Sequence, residues 1–277
     1  MAKPSTSLLK RRLDIAEIVR KNGEIKVDDL AEMLAVSGVT IRNDLNYLEQ
    51  QGYLKRSFGG AIYTAQQGAL TASAQEKPSA SLDKALENEI ARQLAALIVG
   101  SETLFLGEGP ILRKVIPFLA DRGECCLLLN DLHHVAFAKE FLTGETVLLG
   151  GVLSASGNTT EGAPALKALR HHPLDRVLMA IDHIAEDGTL SVRSESQAEL
   201  LAEAAENGSH VIAAIPQRPI YGEMRFAVGH LQQLAGVVTP QVVAAEYHTH
   251  LQAAGMTNSY TNNECLTWIN PALPGAK

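Results

Sequence analysis

Polar side chains cluster in the stretch VSGVTIRNDLNYLEQQG, and their types suit hydrogen bonding to bases and phosphates. Arginine can bind guanine or phosphate, asparagine can pair bidentately with adenine, and valine can touch the methyl group of thymine. A hydroxyl and free backbone N–H groups at a helix N-terminus suit a phosphate. The candidate DNA contacts in this stretch and just after it are Ser37, Val39, Thr40, Arg42, Asn43, Asn46, Lys55, Arg56 and Ser57.

The apolar residues of the same stretch predict the helix that presents these groups. Ile41, Leu45 and Leu48 fall within about 40° of one another at the helical period, so they form a buried stripe. A solvated amphipathic helix in an ordinary helical domain would show the same periodicity. The outward side of the predicted helix carries Val39, Asn43, Asn46 and Tyr47, with Thr40 and Arg42 on its flanks.

The elements around this helix favour DNA binding over an ordinary helical domain. Three helical patterns and a small basic hairpin, with a tight connection before the third helix, form the pattern of a winged helix-turn-helix. The predicted elements are helices from Leu8 to Asn22, from Val27 through Leu34 and from an N-cap at Ser37 to near Gly52, and extended pieces Tyr53–Arg56 and Ala61–Tyr63 around a Gly59-Gly60 turn.

After residues 65–81, which are rich in Ala, Ser, Gln and Thr, strands alternate with helices over short connections. This order predicts a mostly parallel sheet covered on both faces. The predicted helices are Asp83–Leu97, Ile111–Ala120, Leu132–Phe141, Ala163–Arg170 and Glu195–Glu206, and the predicted strands are Thr103–Leu106, Cys125–Leu129, Thr146–Leu149, Arg176–Ile181, His210–Ile215 and Val237–Val238.

The predicted fold class is therefore α+β multidomain, an N-terminal winged helix-turn-helix joined to a C-terminal α/β domain with a mostly parallel sheet. The first domain covers residues 1–64, the linker residues 65–81 and the second domain residues 82–277. The tail from Gln241 to Lys277 is longer than a last strand requires. Its Trp268 and Tyr260 would either cap the domain or join subunits.

Composition and charge agree with a DNA-binding head on an acidic body. The 277 residues are 46% hydrophobic and 20% charged, typical of a globular protein, and carry a net charge of −7. Residues 1–64 hold 10 Lys and Arg against 8 Asp and Glu, whereas the remainder holds 14 against 23. No secretory leader or long apolar run is evident, so we expect a cytoplasmic protein without a membrane partner. The three cysteines lack metal-site spacing, and we expect them to be reduced.

The stretch DLAEMLAVSGVTIRNDLNYLEQQGYLKRSFGGAI resembles the N-terminal signature of the DeoR family of bacterial transcriptional regulators. The usual core of that signature is VS-x-x-TIRRDL, followed by LE-x-x-G and R-x-x-GGA, and the match extends over about 50 residues. The family often has a second arginine where this chain has Asn43. The resemblance implies DNA binding, and Asn43 predicts a base preference different from that of the arginine-bearing members.

The family resemblance continues more weakly over residues 83–240 and implies a sensor domain similar in fold to sugar-phosphate isomerases. Such sensors commonly respond to a phosphorylated sugar. The scaffold markers are LLGG ending at Gly151, the pair Glu161-Gly162, and Asn130, Asp182 and Gly188. The candidate effector-binding residues are Glu108, Gly109, Asn130, Asp131, Gly150, Gly151, Asp182, Glu195 and Arg218.

Three positions depart from the family's anion-binding chemistry. The family's Asp-x-Gly-Thr-Thr loop is here GEGPI from Gly107 to Ile111, without either hydroxyl and with Glu108, which would repel a phosphate. The family's Asp-x-Ser-Lys segment is here IPQR, which ends in Arg218, and its usual lysine in the preceding helix is Glu199. We expect an effector less anionic than a sugar phosphate, or one bound in another pose. The alternative is a vestigial pocket in a domain that serves only oligomerisation.

Other chemistries have weaker support in the sequence. Paired histidines such as His133-His134 point apart on a helix or strand, and no Walker lysine or G-x-S-x-G motif is present. We expect no metal, no cofactor and no enzymatic activity, although an isomerase-like enzyme using Glu108, Asp182 and Glu195 remains a rival, as does a ligand-independent DNA binder. The expected partners are a double-stranded DNA operator and a sugar or sugar-phosphate effector, and a homodimer or homotetramer would place the short recognition helices on repeated half-sites.

Overall fold

The computed structural model describes residues 8–50, 53–63, 79–120, 122–215, 226–262 and 264–273. The chain divides into two compact units, Met1–Asn88 and Glu89–Lys277. Residues 64–78, which include most of the predicted linker 65–81, lie outside the described part. In that described part no helix is long and apolar enough to cross a membrane.

The first unit has the helices that the sequence predicts, and the first two have the predicted bounds. Its core is formed by apolar side chains from the three helices and from β1 and β3, among them Ile15, Leu30 and Leu45. Its elements in chain order are α1 (Leu8–Asn22), β1 (Glu24–Lys26), α2 (Val27–Leu34), α3 (Gly38–Gln50), β2 (Lys55–Ser57) and β3 (Gly60–Ile62).

The predicted two-stranded wing is instead a three-stranded antiparallel sheet in the order β1-β3-β2. Strand β1 pairs with β3 through Ile25 opposite Ala61, and β2 pairs with β3 through Arg56 opposite Ala61. The prediction missed β1 because three residues between two helices are too few to show an alternating pattern. The additional strand ties the wing to the start of α2.

The second unit, with the helix α4 that leads into it, has the predicted alternation of strands and helices. Its elements are α4 (Ser79–Ala96), β4 (Thr103–Leu106), α5 (Pro110–Arg113), α6 (Ile116–Leu119), β5 (Cys126–Leu129), α7 (Leu132–Phe141), β6 (Thr146–Leu148), β7 (Val152–Leu153), β8 (Thr160–Glu161), α8 (Ala163–Arg170), β9 (Leu174–Ala180), β10 (His183–Ile184), β11 (Thr189–Val192), α9 (Glu195–Asn207), β12 (Gly208–Ala214), β13 (Phe226–His230), β14 (Leu234–Pro240), α10 (Gln241–Ala253), β15 (Thr257–Thr261) and β16 (Cys265–Ile269).

The main sheet has eight strands in the order β15-β16-β14-β12-β9-β4-β5-β6. The strands from β14 to β6 in this order are parallel, and β16 and β15 are antiparallel additions at the end beside β14. The mostly parallel sheet is therefore confirmed. The strand order reverses between β4 and β9, and in open α/β sheets ligands bind outside the carboxyl ends of the strands at such a point.

Two predicted segments of the second unit differ from the structure. The helix predicted from Ile111 to Ala120 is two short helices, α5 and α6. Pro117 has no N–H to donate to the carbonyl of residue 113, and its ring clashes with that carbonyl, so a continuous helix cannot form. The tail folds as α10, β15 and β16, with Trp268 buried in β16 against β14. Trp268 therefore caps the sheet of its own domain. Tyr260 on β15 is exposed.

Candidate functional site

Helix α3 buries one face and leaves the predicted DNA face open. Ile41, Leu45 and Leu48 lie in the core of the first unit, and full burial of such side chains stabilises a fold by about 1.5–3 kcal/mol each. Arg42 and Asn43 are exposed, and within the described residues neither side chain forms a hydrogen bond or ion pair. Val39 is 63% exposed, although an apolar residue is normally buried where space allows. The open face therefore has both polar and methyl groups available for a groove.

The N-terminus of α3 is capped as the sequence predicts. The Ser37 carbonyl accepts the first helical bond from the backbone N–H of Ile41, at 3.1 Å. The Ser37 hydroxyl oxygen accepts from the backbone N–H of Thr40 at 3.2 Å and lies 2.8 Å from the Thr40 hydroxyl oxygen. Both hydroxyls are thus at the helix end, where the partial positive charge of the helix favours a phosphate.

Asp44 fixes α3 to α1 from the opposite side. Its side chain is 1% exposed, and its two carboxylate oxygens accept from Arg11 Nε at 2.7 Å and from Arg12 Nε at 2.9 Å. The Arg12 guanidinium also lies over the Tyr47 ring, 3.8 Å from its centroid. Tyr47 therefore packs against the core of the unit, which corrects its predicted position on the outward face.

The wing is attached directly to the recognition helix. Glu49 Oε1 accepts from the backbone N–H of Arg56 at 2.8 Å, and the Arg56 guanidinium donates to Asn46 Oδ1. Lys55 is exposed beside it, whereas the Ser57 hydroxyl points to Glu24 Oε1 at 3.4 Å on β1. Asn46 and Arg56 are both predicted DNA contacts, and the structure brings them together on one face.

In the second unit, four of the predicted effector residues meet where β4 and β5 end. The two strands pair in parallel with Leu106 opposite Leu129, so the residues that follow them share one edge of the sheet. Asn130 Nδ2 lies 3.4 Å from Glu108 Oε2, and Asp131 Oδ2 accepts from the backbone N–H of Gly109 at 3.3 Å. Asp131 also caps α7 through the backbone N–H of His133, at 2.8 Å.

The segment around β8 completes the site. We call the site the acidic edge, and its carboxylates are those of Glu108, Asp131 and Glu161. The Thr160 backbone N–H donates to the Asn130 carbonyl at 2.8 Å, and Glu161 Oε2 accepts from the Ser196 hydroxyl at 2.6 Å. Gly151 lies against this segment so closely that an added Cβ atom would be 2.7 Å from the Glu161 carbonyl oxygen. Gly151, a predicted effector residue, thus lies beside the cluster, and no larger residue would fit at its position.

Burial determines the protonation behaviour of the cluster. Burial raises the pKa of Glu108, the carboxylates of Asp131 and Glu161 raise it further, and hydrogen bonds from Asn130 and Thr159 oppose that rise. Burial lowers the pKa of His134, whose Nε2 lies 3.1 Å from the Gly109 carbonyl oxygen and therefore donates to it. Within the described residues, Asn130 Oδ1 is buried and has no hydrogen-bond partner. The edge is rich in acceptors and poor in donors.

The structure does not connect the remaining predicted effector residues to this cluster by a hydrogen bond or ion pair among the described residues. Asp182, after β9, accepts from the backbone N–H of Arg193 at 3.0 Å, and its carboxylate lies 3.6 Å from the Arg193 guanidinium. Glu195 and Gly150 are exposed. Arg218 lies outside the described residues, so the structure does not place it.

Of the paired histidines, His134 is buried, whereas His133, His171 and His248 are exposed. His134 is buried beside Asp131, and the His248 ring packs edge-on against Trp268 with centroids 5.1 Å apart. Among the residues that the structure describes, no group of three or more His, Cys, Asp or Glu side chains is arranged to hold a metal ion.

Several residues of these sites were missed by sequence reasoning. Asp44 has a detectable signal, since it lies on the buried side of the helical wheel, where a carboxylate requires a partner. Glu161 stood out only as part of a scaffold motif, and nothing local marks the contact of Ser196 with it. The residues that the structure adds are Asp44, Glu49, His134, Thr159, Thr160, Glu161, Arg193 and Ser196.

Two family models match the chain along most of its length. Residues 11–67 match the DeoR-like helix-turn-helix domain, and residues 84–241 match the DeoR C terminal sensor domain. The first match contains α2, α3 and the wing, and the second contains the acidic edge of the sheet.

The chain is similar to curated repressors and to a solved isomerase structure over half of its length or more. The glycerol-3-phosphate regulon repressor of Escherichia coli (strain K12) is 27% identical over 87% of this chain and 97% of its own length. The lactose phosphotransferase system repressor of Staphylococcus epidermidis is 31% identical over 50% of this chain and 56% of its own length. Ribose 5-phosphate isomerase A from Methanocaldococcus jannaschii aligns with a TM-score of 0.37 and 11% identity, over 69% of this chain and 82% of that one.

Proposed function

The chain belongs to the DeoR family of transcriptional regulators, and from this premise we propose that it represses a carbohydrate-use operon and is released from its operator by a sugar-type effector. Residues 1–64 bind the operator, and residues 82–277 bind the effector and assemble the subunits. Relatives named as repressors of the glycerol-3-phosphate regulon and of a lactose phosphotransferase system support repression, and they favour regulation over an isomerase-like activity.

The observation that carries the DNA-binding half is the open face of α3. Its buried face is filled by core side chains and held by Asp44, so the helix can present Arg42 and Asn43 in fixed positions. Arg56 extends the same polar face onto the wing through its bond to Asn46. A helix with this exposed set fits the major groove, and the wing meets the neighbouring backbone.

Asn43→Arg is expected to change which DNA site the protein prefers without unfolding it. Asn43 is exposed and unpaired within the described residues, and a bidentate amide prefers adenine whereas arginine prefers guanine. Selection of bound duplexes from a random pool, carried out on both forms, measures the change. Each good base contact discriminates by about 1–3 kcal/mol, so the two selected motifs should differ at one position of each half-site. Identical motifs would exclude Asn43 from base readout.

The observation that carries the effector half is the surplus of acceptors at the acidic edge. Glu108, Asp131 and Glu161 supply carboxylates, and buried Asn130 Oδ1 lacks a donor within the described residues. A ligand here must donate hydrogen bonds, and bonds to an ionised acceptor are the stronger kind. Sugar hydroxyls donate, whereas a phosphate ester adds negative charge beside three carboxyl groups. We therefore propose a free, hydroxyl-rich sugar as the effector.

A free sugar is expected to bind at least tenfold more tightly than its own phosphate ester. Isothermal titration against matched pairs, each a sugar and its phosphate, measures the ratio, and operator release by the better ligand links binding to regulation. Tight binding of an ordinary aldose or ketose phosphate would refute the proposed ligand class, while leaving the DNA-binding proposal intact.

We further propose a homodimer or homotetramer assembled through the second unit. One recognition helix reads only a few base pairs, so paired half-sites are needed for a specific operator. Strand β6 forms one edge of the main sheet. Three large apolar side chains are exposed there and shortly after it, namely Leu148 on β6 and Val152 and Leu153 on β7. Large exposed apolar side chains close in sequence to an edge strand are compatible with a subunit contact, and we place the contact there.

A further inference from the structure

The tip of the wing carries an aromatic side chain that touches nothing else in the described structure. Phe58 is fully exposed, at 109% of its reference area. It occupies the first position of a two-residue turn, since Ser57 pairs with Gly60 across β2 and β3. A phenylalanine left in water forfeits the burial energy that keeps most such residues inside proteins. The exposed side chain of Phe58 is therefore available to a partner outside this unit.

The turn that holds Phe58 is fixed on both sides. Gly59 has a φ of +81°, a value that side chains rarely adopt, and its carbonyl accepts from the backbone N–H of Val27 at 2.9 Å. An added Cβ atom at Gly60 would lie 2.3 Å from the Ile25 carbonyl oxygen, so β1 and β3 are in close contact there. The two glycines and the additional strand thus fix the backbone of the turn that carries Phe58.

The residues near Phe58 in the wing favour DNA as its partner. Lys55 and Arg56 are exposed on the strand that leads to the turn, and Arg56 binds Asn46 on the open face of α3. Lys55 and Arg56 thus lie within three residues of Phe58 on the wing, and a wing that carries two cations is complementary to a phosphate backbone. Apolar side chains that enter DNA from such positions wedge between base pairs in the minor groove, unstack them and kink the duplex.

We propose that Phe58 inserts into the minor groove beside each half-site and kinks the operator. This rests on the DNA-binding function proposed above and adds deformation of the duplex to it. Base preference would then extend to a position that no polar side chain contacts, because flexible pyrimidine–purine steps unstack at the lowest cost.

The test compares wild type with Phe58→Ala, Phe58→Leu and Met33→Ala on a duplex that the wild-type protein selects from a random pool. Circular-permutation gel mobility measures the bend, permanganate reactivity of thymines detects the unstacked step, and gel shift measures affinity. Phe58→Ala should lose most of the bend and the reactive thymine and bind about tenfold more weakly, the usual loss for a base–aromatic stack. Phe58→Leu should retain part of the bend. Met33 is 62% exposed on α2, and Met33→Ala should match wild type.

Salt dependence separates a wedge from a phosphate contact. Phe58→Ala should leave the slope of log affinity against log salt unchanged, whereas Lys55→Ala should reduce its magnitude by about 0.9, the value of one phosphate contact. A wild-type protein that binds without bending, or a Phe58→Ala variant that bends DNA equally, would overturn the wedge alone. A wild-type protein that selects no duplex would overturn the proposed function, and the wedge with it.

Discussion

Asp44→Ala is expected to lower the free energy of unfolding of the first unit by about 3 kcal/mol and, by loosening α3 against α1, to weaken operator binding. The substitution leaves Arg11 and Arg12 without the carboxylate that both of them bind, and the vacated site lies in the core beside Leu45. Breaking a buried ion pair by removing one partner costs about 3–5 kcal/mol, and the partial exposure of the two arginines places this case near the lower value. Small domains have a total stability toward the low end of about 5–15 kcal/mol. Urea unfolding followed by circular dichroism measures the loss.

Glu32→Ala is the matched control, since Glu32 is an exposed acid on α2 of the same unit. It should change the free energy of unfolding by less than about 0.5 kcal/mol, as exposed substitutions usually do. Asp44→Asn keeps the volume and should fall between the two. If Asp44→Ala unfolded at the same urea concentration as Glu32→Ala, the double ion pair would contribute nothing to stability.

Glu108→Gln is expected to stabilise the second unit at pH 8 while it weakens effector binding. The pKa of Glu108 is raised above its ordinary value of 4.5, chiefly by burial, so its ionised form is disfavoured in the folded state. That penalty is fully present above the raised pKa and disappears as the pH falls toward 4.5. Glutamine carries no charge, so the variant should have a higher melting temperature than wild type at pH 8, and the difference should shrink in acid.

The same substitution removes the ionised acceptor that we propose for a sugar hydroxyl. A hydrogen bond to a charged group contributes about 1.5–3 kcal/mol, so the best-binding free sugar should lose at least tenfold in affinity. Calorimetric melting from pH 4.5 to 8 and isothermal titration at pH 8 measure the two effects. Glu186→Gln, at an exposed position in the same unit, should change neither. A lower melting temperature with unchanged sugar affinity would contradict both arguments.

Local signals in the sequence predicted the helices of the first unit well. Gly23 stops α1, acidic residues begin α2, and Ser37 caps α3, so each boundary has its own chemistry. The same reasoning failed for β1, whose pairing with β3 joins residues far apart in the sequence. It also overlooked Pro117, which divides a predicted helix into α5 and α6.

The candidate sites show the same contrast between local signals, which the sequence reveals, and long-range contacts, which it does not. The open face of α3 follows from one helical period, so its residues could be identified from the sequence. The acidic edge depends on four separate segments, and only the family resemblance brought Glu108 and Asn130 together. The contacts of Asp44 with α1 and of Ser196 with Glu161 join residues more than 30 positions apart. No pattern of spacing could have predicted them.

The position of Trp268 gives the second unit an optical signal of its own. It is the only tryptophan of the chain, it is 2% exposed in β16, and its ring meets the edge of the His248 ring. Emission excited at the red edge of indole absorption therefore arises from the second unit alone. Unfolding of the winged helix leaves that emission unchanged, whereas separation of β16 from β14 shifts it to longer wavelengths as water reaches the indole. Compared with far-ultraviolet circular dichroism, which reports on both units, this emission shows which of the two units melts first.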